Sequence, residues 1–584
     1  METRALRYVG PLAVTVLATV CSSAEPSGGS GGSGAHAGAA GKTGGIGAGG
    51  RATGASTLTG GSLSAAGTET SGGASGKGGI GDGMPATGGV GGGDATAGSS
   101  ASAGSGAGGA TTRNGGMSGT GAGKGSGGAA GSAGATGAGT EGGAGGTASP
   151  GDCGITVTSN TTSSQMATVG VIEWSTTQKN LGKAQIVYTL NNPTSGILNK
   201  GGAAPVDLGK ANYHTLLLGL KPSSTYTFHV ETTTSDGSTC KSADTTLTTG
   251  TLSGAPTITR TASKPTAQAV GFVISSGGVN KSGGSGVNQV FIVDADGIVV
   301  WTASAPSQAS RARMDYEGNN MWMMALNVGN TGGEMRYVSM DGATKQSNVS
   351  GLSKSHHDFT VLKGGMVATM AWAGSGMDPE SDLLERSADG KVTTAFHIGS
   401  NLYKGGPGIM SSAIGYHCNS VLYHEADDTY TVGDRNPSSF VRVSRAGKLV
   451  WQFGGDCSGA PAPKCVPGSW SVNHGHHVLD NGNFLFFSNG AYRSTTPSSA
   501  LEFTISASGT MQANQIKSYS SSTKSHSDSL GDVQRLPNGN TLVVFSNDGL
   551  IEEVDASWNV VQTLEASSFG YADWRETLYG PPPR

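Results

Sequence analysis

A short strand-and-turn pattern recurs six times along the second half of this chain, and it constrains the fold more than any other feature. In each copy an apolar run meets polar residues and then a glycine. The copies are Val293-Asp294-Ala295-Asp296-Gly297, Val338-Ser339-Met340-Asp341-Gly342, Arg386-Ser387-Ala388-Asp389-Gly390, Val443-Ser444-Arg445-Ala446-Gly447, Ile505-Ser506-Ala507-Ser508-Gly509 and Val554-Asp555-Ala556-Ser557-Trp558, the last departing at the glycine. Successive copies lie 45 to 62 residues apart. Such turns between alternating apolar runs signal β-hairpins. A second hairpin motif interleaves with the first: Leu479-Asp480-Asn481-Gly482-Asn483, Leu536-Pro537-Asn538-Gly539-Asn540 and the looser Leu362-Lys363-Gly364-Gly365. Two hairpins per repeat make a four-stranded unit, and six units predict a six-bladed β-propeller over residues 255–584. No stretch longer than about ten residues carries an amphipathic helical period, so the predicted class is all-β.

Upstream of the repeats, residues 152–250 alternate short apolar runs with turn residues, as in Val169-Gly170-Val171-Ile172-Glu173-Trp174 and Ala184-Gln185-Ile186-Val187-Tyr188. This pattern predicts a small β-sandwich with a buried tryptophan. Within it, Leu220-Lys221-Pro222-Ser223-Ser224-Thr225-Tyr226-Thr227-Phe228 resembles the tyrosine-corner strand of a fibronectin type III domain. Residues 25–151 hold much of the chain's complement of 100 glycines, mixed with Ala, Ser and Thr. Too few large apolar side chains are present there to offset the entropy of ordering, so a disordered tether is expected. Residues 1–24 read as an export signal, with Arg4 and Arg7 ahead of the apolar run Gly10 to Val20. Cys21 at its end resembles a bacterial lipoprotein cleavage site, with cleavage after Ala24 as the alternative. The expected location is therefore periplasmic or cell-surface, with a lipid anchor if Cys21 is modified.

Export bears on the other cysteines. Cys153 and Cys240 bracket the sandwich segment, Cys457 and Cys465 close a short loop, and Cys418 is left over. In an oxidising compartment both pairs suit disulfides, and no spacing matches a zinc finger or ribbon. A formal net charge of −4 argues against a protein that grips nucleic acid through bulk charge.

The histidines of the repeat region cluster as His356-His357, His417, His474, His476-His477 and His526, with His397 and His424 apart. His357 lies eight residues before Gly365, and His474 lies eight before Gly482. Equivalent offsets place equivalent side chains at one depth, so His357 and His474 are expected to meet in the central channel, with His417 opening the inner strand between them. A histidine in a propeller is more often structural than catalytic; three at matching positions argue for a site. His476 is expected to pack or face solvent, and His526 to be local.

These residues carry a resemblance. His356-His357-Asp358-Phe359, His417-Cys418-Asn419-Ser420-Val421, Gly433-Asp434-Arg435, His474 with its following hairpin, Gly531-Asp532-Val533-Gln534-Arg535 and Tyr571-Ala572-Asp573-Trp574-Arg575 resemble the bacterial arylsulfate sulfotransferase family over residues 255–580. The resemblance implies an exported six-bladed propeller behind a small β-sandwich. It implies an enzyme that takes a sulfuryl group from a phenolic sulfate donor to a phenol acceptor. By position, His474 becomes the transiently sulfated nucleophile, with His476 as the fallback. His357, His417 and Arg435 surround the sulfuryl group, and Asn419 and His356 help to bind the substrate.

The residue types suit that chemistry independently. Sulfuryl transfer, like phosphoryl transfer, needs placement and stabilisation of anionic oxygens more than covalent help. Arginine offers a permanently charged fork of donors, and neutral imidazole is a competent nucleophile and proton carrier. Ping-pong transfer independent of PAPS and of any diffusible cofactor is the expected outcome; no phosphate-cradling glycine motif is present. Two alternatives stand beside it: a non-catalytic ligand-binding propeller, and a metal-dependent hydrolase or lyase using clustered histidines for Zn²⁺ or Cu²⁺. Arg435 in the same cluster weighs against a cation.

Overall fold

The computed structural model describes residues 154–582, apart from short stretches at 281–287, 327–332, 375–378, 408–413, 459–463, 492–494 and residue 524. The export signal, Cys21, the glycine-rich tether and Cys153 lie outside the described residues. Among the described residues the regular structure is β-strand with brief 3₁₀ turns.

The first body is two small sheets face to face. One contains Ile155–Thr162, Gly170–Thr176 and Thr215–Leu217. The other is built on Leu181–Leu190 and Thr225–Thr234, flanked by Gly201–Pro205, Thr239–Lys241 and Thr245–Thr248. Alternation fixes which residues meet between the sheets: Trp174, Ile186, Phe228 and Val230 are fully buried. Tyr226 turns its hydroxyl back to accept the Lys221 backbone N–H at 2.9 Å. Cys240 is disulfide-bonded.

The second body is a ring of six antiparallel sheets, the predicted propeller. Counted outward from the axis, blade 2 runs Ala309–Met314, Asn320–Ala325, Met335–Ser339, Lys345–Gln346, and blade 3 runs Ser355–Leu362, Met366–Ala373, Glu380–Arg386, Val392–Ile398. Blade 4 runs Cys418–His424, Thr429–Asp434, Ser439–Ser444, Leu449–Gly454, with Cys465–Val466 added in parallel outside. Blade 5 runs Asn473–Val478, Phe484–Ser488, Ser499–Ser506, Gln512–Tyr519, and blade 6 runs Asp532–Arg535, Thr541–Phe545, Leu550–Val554, Val560–Glu565. Both hairpin motifs fall where the repeat arithmetic puts them. The first turns between the third and outer strands, and its five glycines share a left-handed φ between +74° and +89°. Trp558 replaces the sixth at φ +63°, its indole stacked on Tyr519 with ring centroids 5.4 Å apart.

Blade 1 closes the ring and is assembled from both ends of the region. Its outer three strands are Phe272–Ser276, Gln289–Asp294 and Val299–Ser304, but its innermost is Asp573–Arg575 from the C-terminal segment. Thr259–Ala262 meanwhile adds a fifth strand outside blade 6, on Val560–Glu565. An annular sheet stack closed this way leaves no long unpaired edge at the seam. The Cys457–Cys465 disulfide forms on the outer side of blade 4, and Cys418 is a buried free thiol.

The sandwich docks on blades 1 and 2 through the first hairpin motif. Lys221 reaches from the sandwich to the Asp294 and Asp296 carboxylates, 2.9 Å from the latter. Asp296 also accepts the backbone N–H groups of Leu198 and Asn199. Apolar contact is continuous across the join, where Met166, Val169 and Leu218 pack with Ile292, Trp301 and Leu578. Lys221 and Asp294 are both buried, so removing one charge strands the other. We expect Lys221→Met to cost about 3–5 kcal/mol, read as a lowered melting temperature; a melting curve matching the parent's refutes this role for the pair.

Candidate active site

The inner strands of blades 3, 4 and 5 begin irregularly at one end of the channel. Their pairing to the second strand shifts register between Ser355 and Phe359, between Cys418 and Ser420, and between Asn473 and His476. Bulges of this kind re-aim side chains that a regular ladder would hold to the pleat. His357 sits in one of them with φ +61°, a left-handed conformation that a non-glycine residue adopts only when its surroundings compel it. His356, His357, His417, Arg435 and His474 are all at most 7% exposed.

Three imidazoles form a chain. His356 Nδ1 lies 3.0 Å from His357 Nδ1, and His357 Nε2 lies 3.1 Å from His417 Nε2. At the outer end Ser381 Oγ is 3.3 Å from His356 Nε2. Trp372 stacks on the His356 ring with centroids 3.7 Å apart and holds that ring's plane. Burial, and then the neighbouring His417, push His356 and His357 well below the usual histidine range. Both are therefore neutral at pH 7, and each ring carries one proton to pass along the chain.

His474 faces this chain from blade 5. Its Nδ1 lies 2.6 Å from Asn489 Oδ1. The Asn489 amide nitrogen is committed to the carbonyls of Ser527 at 2.7 Å and Leu530 at 2.9 Å. The amide orientation is thus fixed, His474 Nδ1–H is the donor, and Nε2 holds the lone pair. Burial depresses the His474 pKa, and the Arg435 charge depresses it further. Arg435 acts on His357 in the same sense, so the guanidinium lies within electrostatic reach of both rings. Its own backbone N–H donates to the His417 carbonyl at 3.0 Å, which ties the arginine to the histidine on the neighbouring strand. Gly475 lets the strand pass this point: a Cβ there would stand 1.9 Å from Asp532 Oδ1.

The other predicted residues lie as follows. Asn419 donates its amide to the Asn473 carbonyl at 2.6 Å, joining blades 4 and 5 directly beside His474. His476 lies deeper, with Nδ1 2.9 Å from Ser420 Oγ and its ring stacked on Phe484; it packs inside the blade, away from the three-imidazole chain. His526 bonds locally to Thr496 and Asp528, and His397 sits between Glu380 and Asp382 on the outside.

Several residues of this region were not anticipated. Asn489 and Trp372 reach the histidines from second strands or the loops after them. Below the histidines, Arg311 binds Asp358 at 2.7 Å, Asp532 at 2.7 Å and Asp573 at 3.1 Å, while Arg313 pairs with Asp573. The available signal was Arg311-Ala312-Arg313, two like charges at strand spacing in a position otherwise apolar; such a pair in an inner strand must face the axis.

The Arylsulfotransferase (ASST) family model matches residues 259–568, a span that covers most of the ring. No curated protein matches the chain. Among solved structures, a catalytically inactive virginiamycin B lyase from Staphylococcus aureus with quinupristin is 11% identical, with 52% of this chain and 88% of that chain covered and a TM-score of 0.33. The periplasmic gluconolactonase of Pseudomonas aeruginosa is 15% identical, with 52% and 99% covered and a TM-score of 0.34. The family match spans more than half of the chain and contains every histidine of the site: this protein belongs to the arylsulfotransferase family.

Proposed function

We propose that the protein moves a sulfuryl group from a phenolic sulfate ester to a phenol through a sulfated His474, in ping-pong fashion and without PAPS. The observation that carries this reading is the fixed His474 tautomer. Asn489 holds the proton on Nδ1, which leaves Nε2 as a nucleophile without any deprotonation step.

In the first half-reaction Nε2 attacks sulfur and the sulfur–oxygen bond to the phenol breaks. Arg435 stabilises the charge on the transferring oxygens with donors that stay protonated at any working pH. The departing phenolate takes a proton from His417, the terminus of the imidazole chain, which enters this step as the imidazolium and leaves it as the neutral imidazole. In the second half-reaction the same chain removes the proton from the incoming phenol, whose oxygen displaces Nε2 from sulfur. Such acid–base assistance is worth about 10²–10⁴-fold. His357 shares the proton with His356 and so keeps His417 ready in either direction, and Asn419 keeps the Asn473–His474 strand in place. The exported or cell-surface location, with Cys21 as a lipid attachment point, belongs to the same reading and rests on the signal-like N-terminal run.

Incubation with an aryl sulfate tests the reaction. Cleavage should require a phenol acceptor, and mass analysis during turnover should find the sulfuryl group on His474. His474→Asn should abolish both; unchanged turnover in that variant refutes the nucleophile. Asn489→Leu releases the ring and should slow donor cleavage by about 10²-fold, the usual scale for a misplaced reacting group. Because burial and neighbouring charge depress the pKa of His474, His357 and His356, these rings remain neutral below the ordinary histidine midpoint of about 6.5. Their imidazole NMR signals should not titrate between about pH 7.5 and 5.5. A midpoint near 6.5 at His474 contradicts the buried, neutral nucleophile.

A further inference from the structure

Tyr571 lies just ahead of the closing strand of blade 1, yet its hydroxyl donates to the Asn419 carbonyl of blade 4 at 2.6 Å. Blades 1 and 4 are opposite one another in a ring of six, so this side chain spans the channel. It is completely buried. Its backbone is pinned on blades 1 and 2, with Tyr571 N–H donating to the Ser310 carbonyl at 2.7 Å and the Ser275 hydroxyl donating to the Tyr571 carbonyl at 3.0 Å. The Arg311 guanidinium lies over its ring, 4.3 Å from the centroid. The His474 ring lies 6.3 Å from it, centroid to centroid.

The ring thus stands at a boundary. On one side is the histidine and arginine site. On the other is the cluster of Asp358, Asp532 and Asp573 around Arg311. Solvent approaches that cluster, because the Asp573 side chain is 17% exposed whereas Arg311 is 3% exposed. Burial, and then the charge of Asp358, push the Tyr571 phenol far above its usual range, so the hydroxyl remains a donor and the crossing is maintained.

We propose that Tyr571 is the floor of the sulfuryl site and determines that sulfated His474 delivers its group to a phenol and not to water. The inference rests on the sulfo-histidine reading above. Hydrolysis would form a bond from water oxygen to sulfur, break the sulfur–Nε2 bond, and release sulfate, with the water proton passing to the imidazole chain. That reaction needs the same in-line approach as the phenol and no further reagent. Only exclusion of water prevents it. With the phenol entering from the histidine end, a ring across the channel would block water from below without obstructing the acceptor. Tyr571 is in this sense a positioning and specificity residue; it exchanges no proton with the substrate.

The test uses the full-length enzyme with 4-nitrophenyl sulfate as donor and a second phenol as acceptor, measuring free sulfate against the new aryl sulfate. Both products come from one intermediate, so general damage slows both and leaves their ratio unchanged. We expect the ratio of sulfate to ester to rise by about tenfold in Tyr571→Ala, and by no more than about threefold in Tyr571→Phe, which keeps the ring and loses only the anchor. A folded Tyr571→Ala enzyme with the parent's ratio overturns the proposal. Should that variant fail to melt cooperatively, Tyr571→Leu replaces it, and an unchanged ratio there overturns it equally. Failure of the parent itself to cleave the donor overturns the sulfotransfer reading instead, which separates the two results.

Discussion

The Arg311 guanidinium is bound by carboxylates from three other blades, and the interior of the ring is organised around it. Asp573 comes from blade 1, Asp358 from blade 3 and Asp532 from blade 6, while Arg311 belongs to blade 2. Burying a charge on this scale is tolerated only when partners surround it, and then the geometry is stringent. Burial works against the guanidinium's charge, but the three carboxylates outweigh it and hold its pKa above the ordinary value. Burial works in the opposite direction on Asp532, whose pKa rises to about 6. The histidine site inherits this order. Asp358 directly follows His357, and Asp532 fills the space that Gly475 leaves beside His474.

The chemistry proposed for the site follows from that packing. Solvent would stabilise the protonated form of exposed imidazoles and let their rings turn. Here the rings of His356, His357 and His474 are stripped of solvent, kept neutral and held by neighbours on other strands, so in the proposed mechanism the nucleophile is prepared before a substrate arrives. The cost shows as backbone strain at His357 and as one permanent cation, Arg435, held beside the buried rings of His357 and His474. Pre-organised charge of this kind contributes most where water is excluded.

Much of this was legible from the chain alone. Hairpin glycines depend on local backbone conformation, so the turns at Gly297, Gly342, Gly390, Gly447 and Gly509 could be counted and the blades inferred. The shared offset of His357 and His474 from Gly365 and Gly482 was legible for the same reason. Parity along a strand, however, makes His474 and His476 look equivalent, and only the bulge between Asn473 and His476 separates their surroundings. The roles of Asn489, Trp372 and Arg311 have no local signature because their partners lie 15 to 262 residues away. The direction of the Tyr571 side chain, across three blades, has no local signature.

The way the ring closes sets a condition on its assembly. Residues 571–575 supply both the innermost strand of blade 1 and the tyrosine that crosses the channel, and they are made after every other strand of the ring. Until they arrive, five blades can stack but the axis stays open, and Arg311 lacks one of its carboxylates. A chain that stops before residue 571 therefore keeps every histidine of the ring and still has no enclosed site. Closure depends on this one segment, so partly made copies carry the reactive groups without the architecture that would let them act.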